Sequence, residues 1–559
     1  MNPFYEKLTL LWPEIIVLIG AIACLVTGLW DKAAVRKTTP YVAMAALFVA
    51  GLAVYLSPGH GVDPKHFMSL GAMVPFFKYA VLGLGIVLVM VAMGTPDRLK
   101  QIVLAEARQG KAFEPGDDFR AEFFAFMLFS LTGAMLCAGA SDLVWLFLAL
   151  ELTSLPTYVL VAISRDRALA QEAAVKYFFL GALSAAIFLY GFALIYGATG
   201  FTEFAQIADH VQNASNGLSP LFITGLLLAV LGVCFKIAAV PMHFYTADVY
   251  EGAATPVTAF LAFVPKAAGF MALIALLGLA GWGNSHGGAA TELPEPIVYL
   301  LALIAVLTMT IGNVLGLMQE RIKRVLAYSS IAHSGYMLVG LLVGPAVAAT
   351  SLGEDTSLSN GIAAVLFYLV AYGLSTISSF ALLSCMSRPD GSEVETYDDL
   401  SGMRLRHPWL AGVLLVCVIS LVGLPPLVGF VGKLYLIGSA FAAADNASTT
   451  FWVYRGLVIA MVINSAMSAG YYLRIASVAF FGEDRGQTVQ LALPMRVWAA
   501  SIAAGLALLL GGWPSGDVLV RASRDAAQPP VEIDEGAADT QAPTTPSITE
   551  AEPLQRSSQ

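Results

Sequence analysis

For most of its length this chain shows neither the strict alternation of a half-buried strand nor the one-sided stripe of a surface helix. Its apolar residues come in long runs separated by short polar stretches. A helix needs about 20 mostly apolar residues to cross the hydrocarbon core of a bilayer. Fourteen stretches approach that length: 10–30, 40–57, 73–94, 120–140, 142–163, 172–197, 219–241, 255–280, 296–317, 323–344, 360–386, 409–438, 452–474 and 495–513. The twelfth is too long for one simple span and contains Pro425-Pro426, and the seventh closes on Pro241. Proline lacks an amide hydrogen and collides with the preceding turn, so helix breaks are predicted at both places.

The basic residues provide a check on this count. With the N-terminus outside, the cytoplasmic loops hold 19 Lys and Arg and the outer segments 6, while 5 Lys fall inside the runs. A positive-inside bias of that size supports fourteen helices with both termini on the extracytoplasmic side. The first run contains Pro13 and Glu14 and has no basic segment leading straight into it, so it reads as a retained spanning helix rather than a signal peptide. The polar segment Arg98–Arg120 is predicted to be a short cytoplasmic helical excursion. From Pro514 onward the chain turns Pro-, Thr-, Ala- and acid-rich and is predicted to be disordered.

Composition changes the picture mainly by exclusion. The chain is 58% hydrophobic and 12% charged, against about 45–50% and about 25% for soluble domains. That rules out a water-soluble globular protein, and the net charge of −9 argues against nucleic acid as a partner. Cys24, Cys137, Cys234, Cys385 and Cys417 lie far apart with no CxxC, so no zinc, iron–sulfur or disulfide spacing is present. There is no GxxxxGK[ST] loop for ATP and no GxGxxG after a strand for a dinucleotide. Of seven histidines only His333 lies mid-helix, with His243 near a break, which does not suit a bis-histidine haem.

The informative residues are ionisable groups at membrane depth, which are costly there and read as functional by default. Glu151 (LALELTSLP), Lys266 (FVPKAAGF) and His333 (SSIAHSGY) fall near mid-helix, and Lys236 (VCFKIAAVP) and Lys433 (FVGKLYL) fall beside the prolines. Broken helices expose backbone carbonyls and helix ends, the places where transporters build ion sites. Lys78 is expected to snorkel to the outer interface. Lys176 either snorkels inward or pairs with Glu151. A desolvated ammonium releases its proton more readily, and a nearby carboxylate holds it, so a Glu–Lys pair is a switch. A row of such lysines, linked by water, histidine and hydroxyls, can pass protons laterally and release them on one side.

These motifs resemble the antiporter-like subunits of respiratory complex I, and subunit N of NADH–quinone oxidoreductase above its siblings. The stretches that carry the resemblance are LALELTSLPTYVLVAISRD, EAAVKYFFLGALSAAIFLYGFALIYGATG, FKIAAVPMHFYTADVYEGAATPVTAFLAFVPKAAGF, NVLGLMQERIKRVLAYSSIAHSGYML and LSGMRLRHPWLAGVLLVCVISLVGLPPLVGFVGKLYLIG. DVYEG followed by PVTAF, and Lys after GFVG, favour subunit N. Tyr245 stands where the family often has Trp, and Ala247 and Ala254 where Pro is usual.

The resemblance implies an all-α polytopic membrane protein with two inverted five-helix repeats, helices 4–8 and 9–13, in which helices 7 and 12 are broken. The divisions would be 1–119 (three N-terminal helices and a loop), 120–281 and 295–475 (the repeats), 495–513 (a last helix) and 514–559 (the tail). It implies a proton path of Glu151, Lys176, Lys236, Lys266, His333 and Lys433. It also implies a multi-pass subunit in a bacterial inner membrane, flanked by subunits M and K with a lateral helix of subunit L alongside. No cofactor is expected in this chain, and NADH, FMN, iron–sulfur clusters and quinone would belong to the rest of the complex. A multi-subunit sodium–proton antiporter, a proton-pumping hydrogenase arm and an inert scaffold are the alternatives.

Overall fold

The computed structural model describes residues 11–30, 32–56, 72–93, 120–163, 168–213, 218–280, 282, 293–345, 359–388, 393–446, 450–483, 489–490, 494–512 and 515–527. Each of the fourteen apolar runs is helical. The first repeat region is preceded by α1 (Trp12–Gly28), α2 (Thr39–Leu56) and α3 (Met73–Ala92). Then come α4 (Arg120–Ala138), α5 (Leu143–Ile163), α6 (Ala168–Thr199), α7 (Pro220–Cys234), the short α8 (Thr246–Gly252) and α9 (Thr255–Gly278). The second half contains α10 (Glu295–Leu317), α11 (Ile322–Val343), α12 (Gly361–Ser384), α13 (Pro408–Val422), α14 (Val428–Asn446) and α15 (Phe451–Phe481). The last two helices are α16 (Pro494–Leu509) and α17 (Ser515–Ala526). Ten helices among the described residues are long and apolar enough to cross a membrane, and α1, α7, α13, α14 and α16 are shorter apolar pieces.

Burial sorts these helices into a centre and a rim. α9 is enclosed along its whole apolar window, and α11 and α12 nearly so. Rim helices α1, α2, α6 and α15 instead turn Ile19, Phe48, Phe179 and Trp452 outward. Lipid or a neighbouring apolar surface solvates such side chains without cost, whereas the central helices must satisfy every polar group internally. The expected breaks at the seventh and twelfth runs are present, between α7 and α8 and between α13 and α14.

Two expectations are corrected. Lys78 does not snorkel. It is 3% exposed and paired with Glu14 of α1 at 2.9 Å, a buried ion pair fastening α1 to α3. The tail is not disordered from its start: α17 packs against α12 and α3, with Ala526 and Ala527 buried. The rest of the tail and the 98–119 excursion lie outside the described residues. Arg496 of α16, also buried, donates from Nε to Met93 O at 3.0 Å and from Nη1 to Ser384 O at 2.8 Å. Those carbonyls close the C-terminal ends of α3 and α12, where a cation complements the helix dipole. The N-terminal helices are thereby tied to the second repeat.

Removing one member of a buried ion pair costs about 3–5 kcal/mol, while replacing both by apolar groups is often neutral. Lys78→Met alone is therefore expected to lower the thermal midpoint of the detergent-solubilised protein by several degrees. The double variant Glu14→Leu, Lys78→Met should recover most of that loss in the same unfolding scan.

Candidate functional site

At the first break the chain leaves α7 at Cys234 and unwinds before α8. Ala238 adopts a φ of 57°, a left-handed conformation unfavourable for alanine. Open backbone at membrane depth must find partners inside the protein, and here side-chain hydroxyls supply them. Ser334 donates to Ile237 O (2.5 Å), Tyr245 to Phe235 O (2.8 Å) and Ser184 to Gly232 O (2.7 Å), while Thr308 Oγ1 accepts from Val240 N (3.0 Å). α9 approaches closely because residue 269 is glycine: a Cβ there would meet Ile237 Cγ2 at 2.7 Å. Lys236 sits in this unwound stretch. Its Nζ donates to Glu151 Oε1 at 3.1 Å and to Ser154 Oγ at 2.5 Å, two residues three apart on α5 and so on one face.

The second break solves the same problem differently. α13 ends at Val422, Gly423 turns the chain with φ 85°, and α14 begins just beyond Pro425-Pro426. Lys433 of α14 donates to Val422 O at 2.7 Å and Leu421 O at 3.2 Å, the free carbonyls at the end of α13. These carry the negative end of the helix dipole. The Tyr336 ring lies 5.0 Å from its Nζ. No carboxylate lies within ion-pair distance of Lys433 among the described residues.

Between the breaks stand Lys266 on α9 and His333 on α11. Lys266 Nζ donates to Ser330 O (2.5 Å) and Ser330 Oγ (2.7 Å) and lies 4.8 Å from the Tyr372 ring centroid. Tyr372 donates to the same Ser330 hydroxyl at 2.8 Å. His333 is held at both nitrogens, with Tyr368 OH 2.7 Å from Nδ1 and Tyr472 OH 3.0 Å from Nε2. Tyr472 also bonds Ser329. Lys236, Lys266, His333 and Lys433 are each 4% exposed or less. Each therefore presents a proton-bearing nitrogen to a polar partner inside an apolar bundle.

Lys176 is not part of this buried row. Its side chain is 42% exposed and binds Asp248 and Glu172, each at 2.8 Å, rather than Glu151. Asp248 belongs to a charged layer at one end of the helices. Arg324 reaches Asp248 (3.0 Å) and Glu251 (2.8 Å), and Arg321 also binds Glu251. Lys323 binds Glu393 at 2.6 Å and donates to Ala253 O at 2.9 Å. The loop carrying Glu393 is braced by Asp399. Burial raises that carboxyl's pKa, but Arg388 and the backbone N–H groups of Thr396 and Glu395 outweigh it and hold the group below the usual carboxylate range.

The tyrosines around His333 and the Lys323–Glu393 pair were missed by sequence reasoning. A tyrosine in an apolar run looks like any core aromatic, and pairs 70 residues apart cannot be matched without a topology. The available signal was the RIKR stretch opening the run that carries His333, three positive residues at a helix start.

Residues 140–459 match the family described as NADH:quinone oxidoreductase/Mrp antiporter, TM. That description covers two kinds of assembly, and closer relatives separate them. The chain is 42% identical over 405 residues to NADH-quinone oxidoreductase subunit N 1 of Sorangium cellulosum, covering 71% of this chain and 74% of that one. It is 36% identical over 519 residues to subunit N 1 of Rhizobium meliloti, covering 93% and 98%. In three dimensions it is similar to a chain of respiratory complex I from Thermus thermophilus, solved with bound aureothin. There the TM-score is 0.67 at 30% identity, with 91% and 98% of the two chains covered. The fold is accordingly that of the antiporter-like subunits, with broken helices in corresponding places of two repeats, and the chain belongs to the NADH–quinone oxidoreductase subunit N family.

Proposed function

We propose that this chain is a membrane-arm subunit that moves protons across the bilayer, coupled to quinone reduction by NADH elsewhere in the complex. The observation that carries the reading is the Lys236 ammonium, buried in a helix break with Glu151 as its counter-ion at 3.1 Å. An ammonium in an apolar interior is stable only while its counter-charge stays close. A shift of α5 relative to the break would weaken the pair and drive the Lys236 proton toward other acceptors. Lys266, His333 and Lys433 extend the row of acceptors across the bundle, each with hydroxyl or carbonyl partners that can exchange hydrogen bonds as charge passes.

In this reading Glu151 is the switch and Lys236 the first carrier. Lys266 and His333 relay, and Lys433 sits at the exit side. Lys176, outside the buried row, would tune the position of α8 through Asp248 rather than carry protons along the axis. FMN, iron–sulfur clusters and quinone would reside in other subunits, and this chain would supply the proton path alone. Subunits M and K are the expected flanking partners, with a lateral helix of subunit L. The excess of basic residues in alternate loops supports an orientation with both termini outside, and the family resemblance supports a bacterial inner membrane as its location.

Lys236→Ala tests the reading in membranes where assembly is verified by native gel. Both NADH–quinone turnover and proton pumping are expected to fall about a hundredfold or more, the range of a lost proton-transfer group. Retention of both would mean that the chain is a scaffold. A second test concerns His333. A relay through one imidazole needs both nitrogens bonded, so Tyr368→Phe and Tyr472→Phe should each slow pumping several-fold. The double variant should be little worse than the poorer single, as for residues that act as a unit.

A further inference from the structure

The row of lysines has to be refilled from the cytoplasm, and the charged layer at that face contains one carboxylate placed differently from the rest. Glu393 belongs to the loop after α12 yet reaches across to the start of α9. Its carboxylate accepts from Thr255 Oγ1 at 2.6 Å and from Thr255 N at 3.3 Å, and it is paired with Lys323. Its side chain is 13% exposed, so it touches the aqueous face while most of it lies within the protein. Asp248 and Glu251, by contrast, are both bound by Arg324.

From Thr255 a line of buried hydroxyls runs along α9. At 3.6 residues per turn, Thr255 and Lys266 are eleven residues and three turns apart, on one face about 16 Å apart along the axis, with Thr258 beside that line. Thr258 donates to Tyr250 O at 3.1 Å, and the Tyr250 hydroxyl lies 3.3 Å from Ser330 Oγ. Ser330 Oγ is the group to which Lys266 donates at 2.7 Å. Thr255, Thr258, Tyr250 and Ser330 are each 3% exposed or less. Buried hydroxyls in an apolar bundle are costly unless they are bonded. Thr258 meets the main-chain oxygen of Tyr250 and not its hydroxyl, so water has to bridge Thr255 to Thr258 and Thr258 to the Tyr250 hydroxyl before this set connects the cytoplasmic carboxylate to the central lysine.

We infer that Glu393 is the proton-uptake group of this subunit and that the Thr255–Thr258–Tyr250–Ser330 hydroxyls deliver its proton to Lys266; this deepens the proton-translocation reading and rests on it. The carboxylate takes one proton from cytoplasmic water and becomes a carboxylic acid. That proton then passes through hydroxyls and intervening water to a neutral Lys266 amine, which becomes an ammonium, and Glu393 returns to a carboxylate. Lys323 keeps its charge throughout and favours that return, so the proton is released rather than retained.

The competing reading is that Glu393 merely caps the N-terminus of α9. Glu393→Gln keeps an acceptor for Thr255 but cannot be charged, and Glu393→Asp keeps the charge. In assembled complex in membranes, Glu393→Gln is expected to slow NADH–quinone turnover and pumping together, by about a hundredfold or more. Millimolar formate or imidazole, small carriers that bring protons to a blocked entry, should restore part of the rate. Glu393→Asp should retain most of it. An unchanged rate in Glu393→Gln, or a loss that neither carrier relieves, overturns the inference. If Glu393→Gln fails to assemble, Thr255→Val decides: it removes the first hydroxyl and leaves the Glu393–Lys323 pair, and should show the same slow, carrier-relieved turnover. An unchanged rate there also overturns the inference. Should Lys236→Ala abolish pumping while Glu393→Gln does not, only the uptake route is wrong. Should Lys236→Ala leave pumping intact, the reading beneath it fails as well.

Discussion

A lipid bilayer offers no water to a backbone that leaves its helix, and the breaks after α7 and α13 exist only because this bundle supplies substitutes. Around the first, hydroxyls of Ser184, Thr308, Ser334 and Tyr245 take the place of solvent for four backbone groups at the end of α7 and in the open chain beyond it. Those partners come from α6, α10, α11 and the break itself, so the unwound stretch is held by both halves of the molecule. The position of Lys236 follows from this: a lysine there has room to face α5 instead of the next turn of its own helix, and Glu151 meets it.

The same constraint explains why the centre is rich in Ser, Thr and Tyr. An entirely aliphatic centre would bury α9, α11 and α12 equally well, yet would leave Lys266 and His333 without partners. Ser330 serves three groups at once, accepting from Lys266 and Tyr372 and meeting Tyr250. His333 is pinned at both nitrogens. Fixed hydrogen bonds at both ends of the ring restrict its rotation, so any change in its protonation must be answered by rotation of the tyrosine hydroxyls.

Much of this was legible in the sequence because bilayer physics is unforgiving. Long apolar runs leave few alternatives, and a lysine or glutamate inside one of them stands out. The helix spans, the two breaks and the burial of Lys236, Lys266, His333 and Lys433 followed directly. The misreadings share one cause. Lys78 was expected to reach water because its run alone shows no partner. Glu14 lies 64 residues away and becomes its neighbour only when α1 and α3 pack. Lys176 was considered as a partner for Glu151, but α6 turns it toward Asp248 of α8. Spacing along a chain shows which charges are deep and leaves open which charges meet. The helix α17 escaped notice because twelve residues of mixed polarity resemble the segment that follows them.

The two breaks are alike in backbone design, yet they compensate their lysines by unlike means. Lys236 depends on a carboxylate carried by a separate helix, which can be displaced or neutralised. Lys433 rests on the terminal carbonyls of α13, whose polarity is built into the peptide bonds and cannot be titrated away. One half of the molecule thus has an adjustable counter-charge and the other a permanent one. In a subunit that moves protons along this row, such unequal ends would act as a rectifier: a displacement of α5 alters the well at Lys236 and leaves the carbonyls beside Lys433 in place.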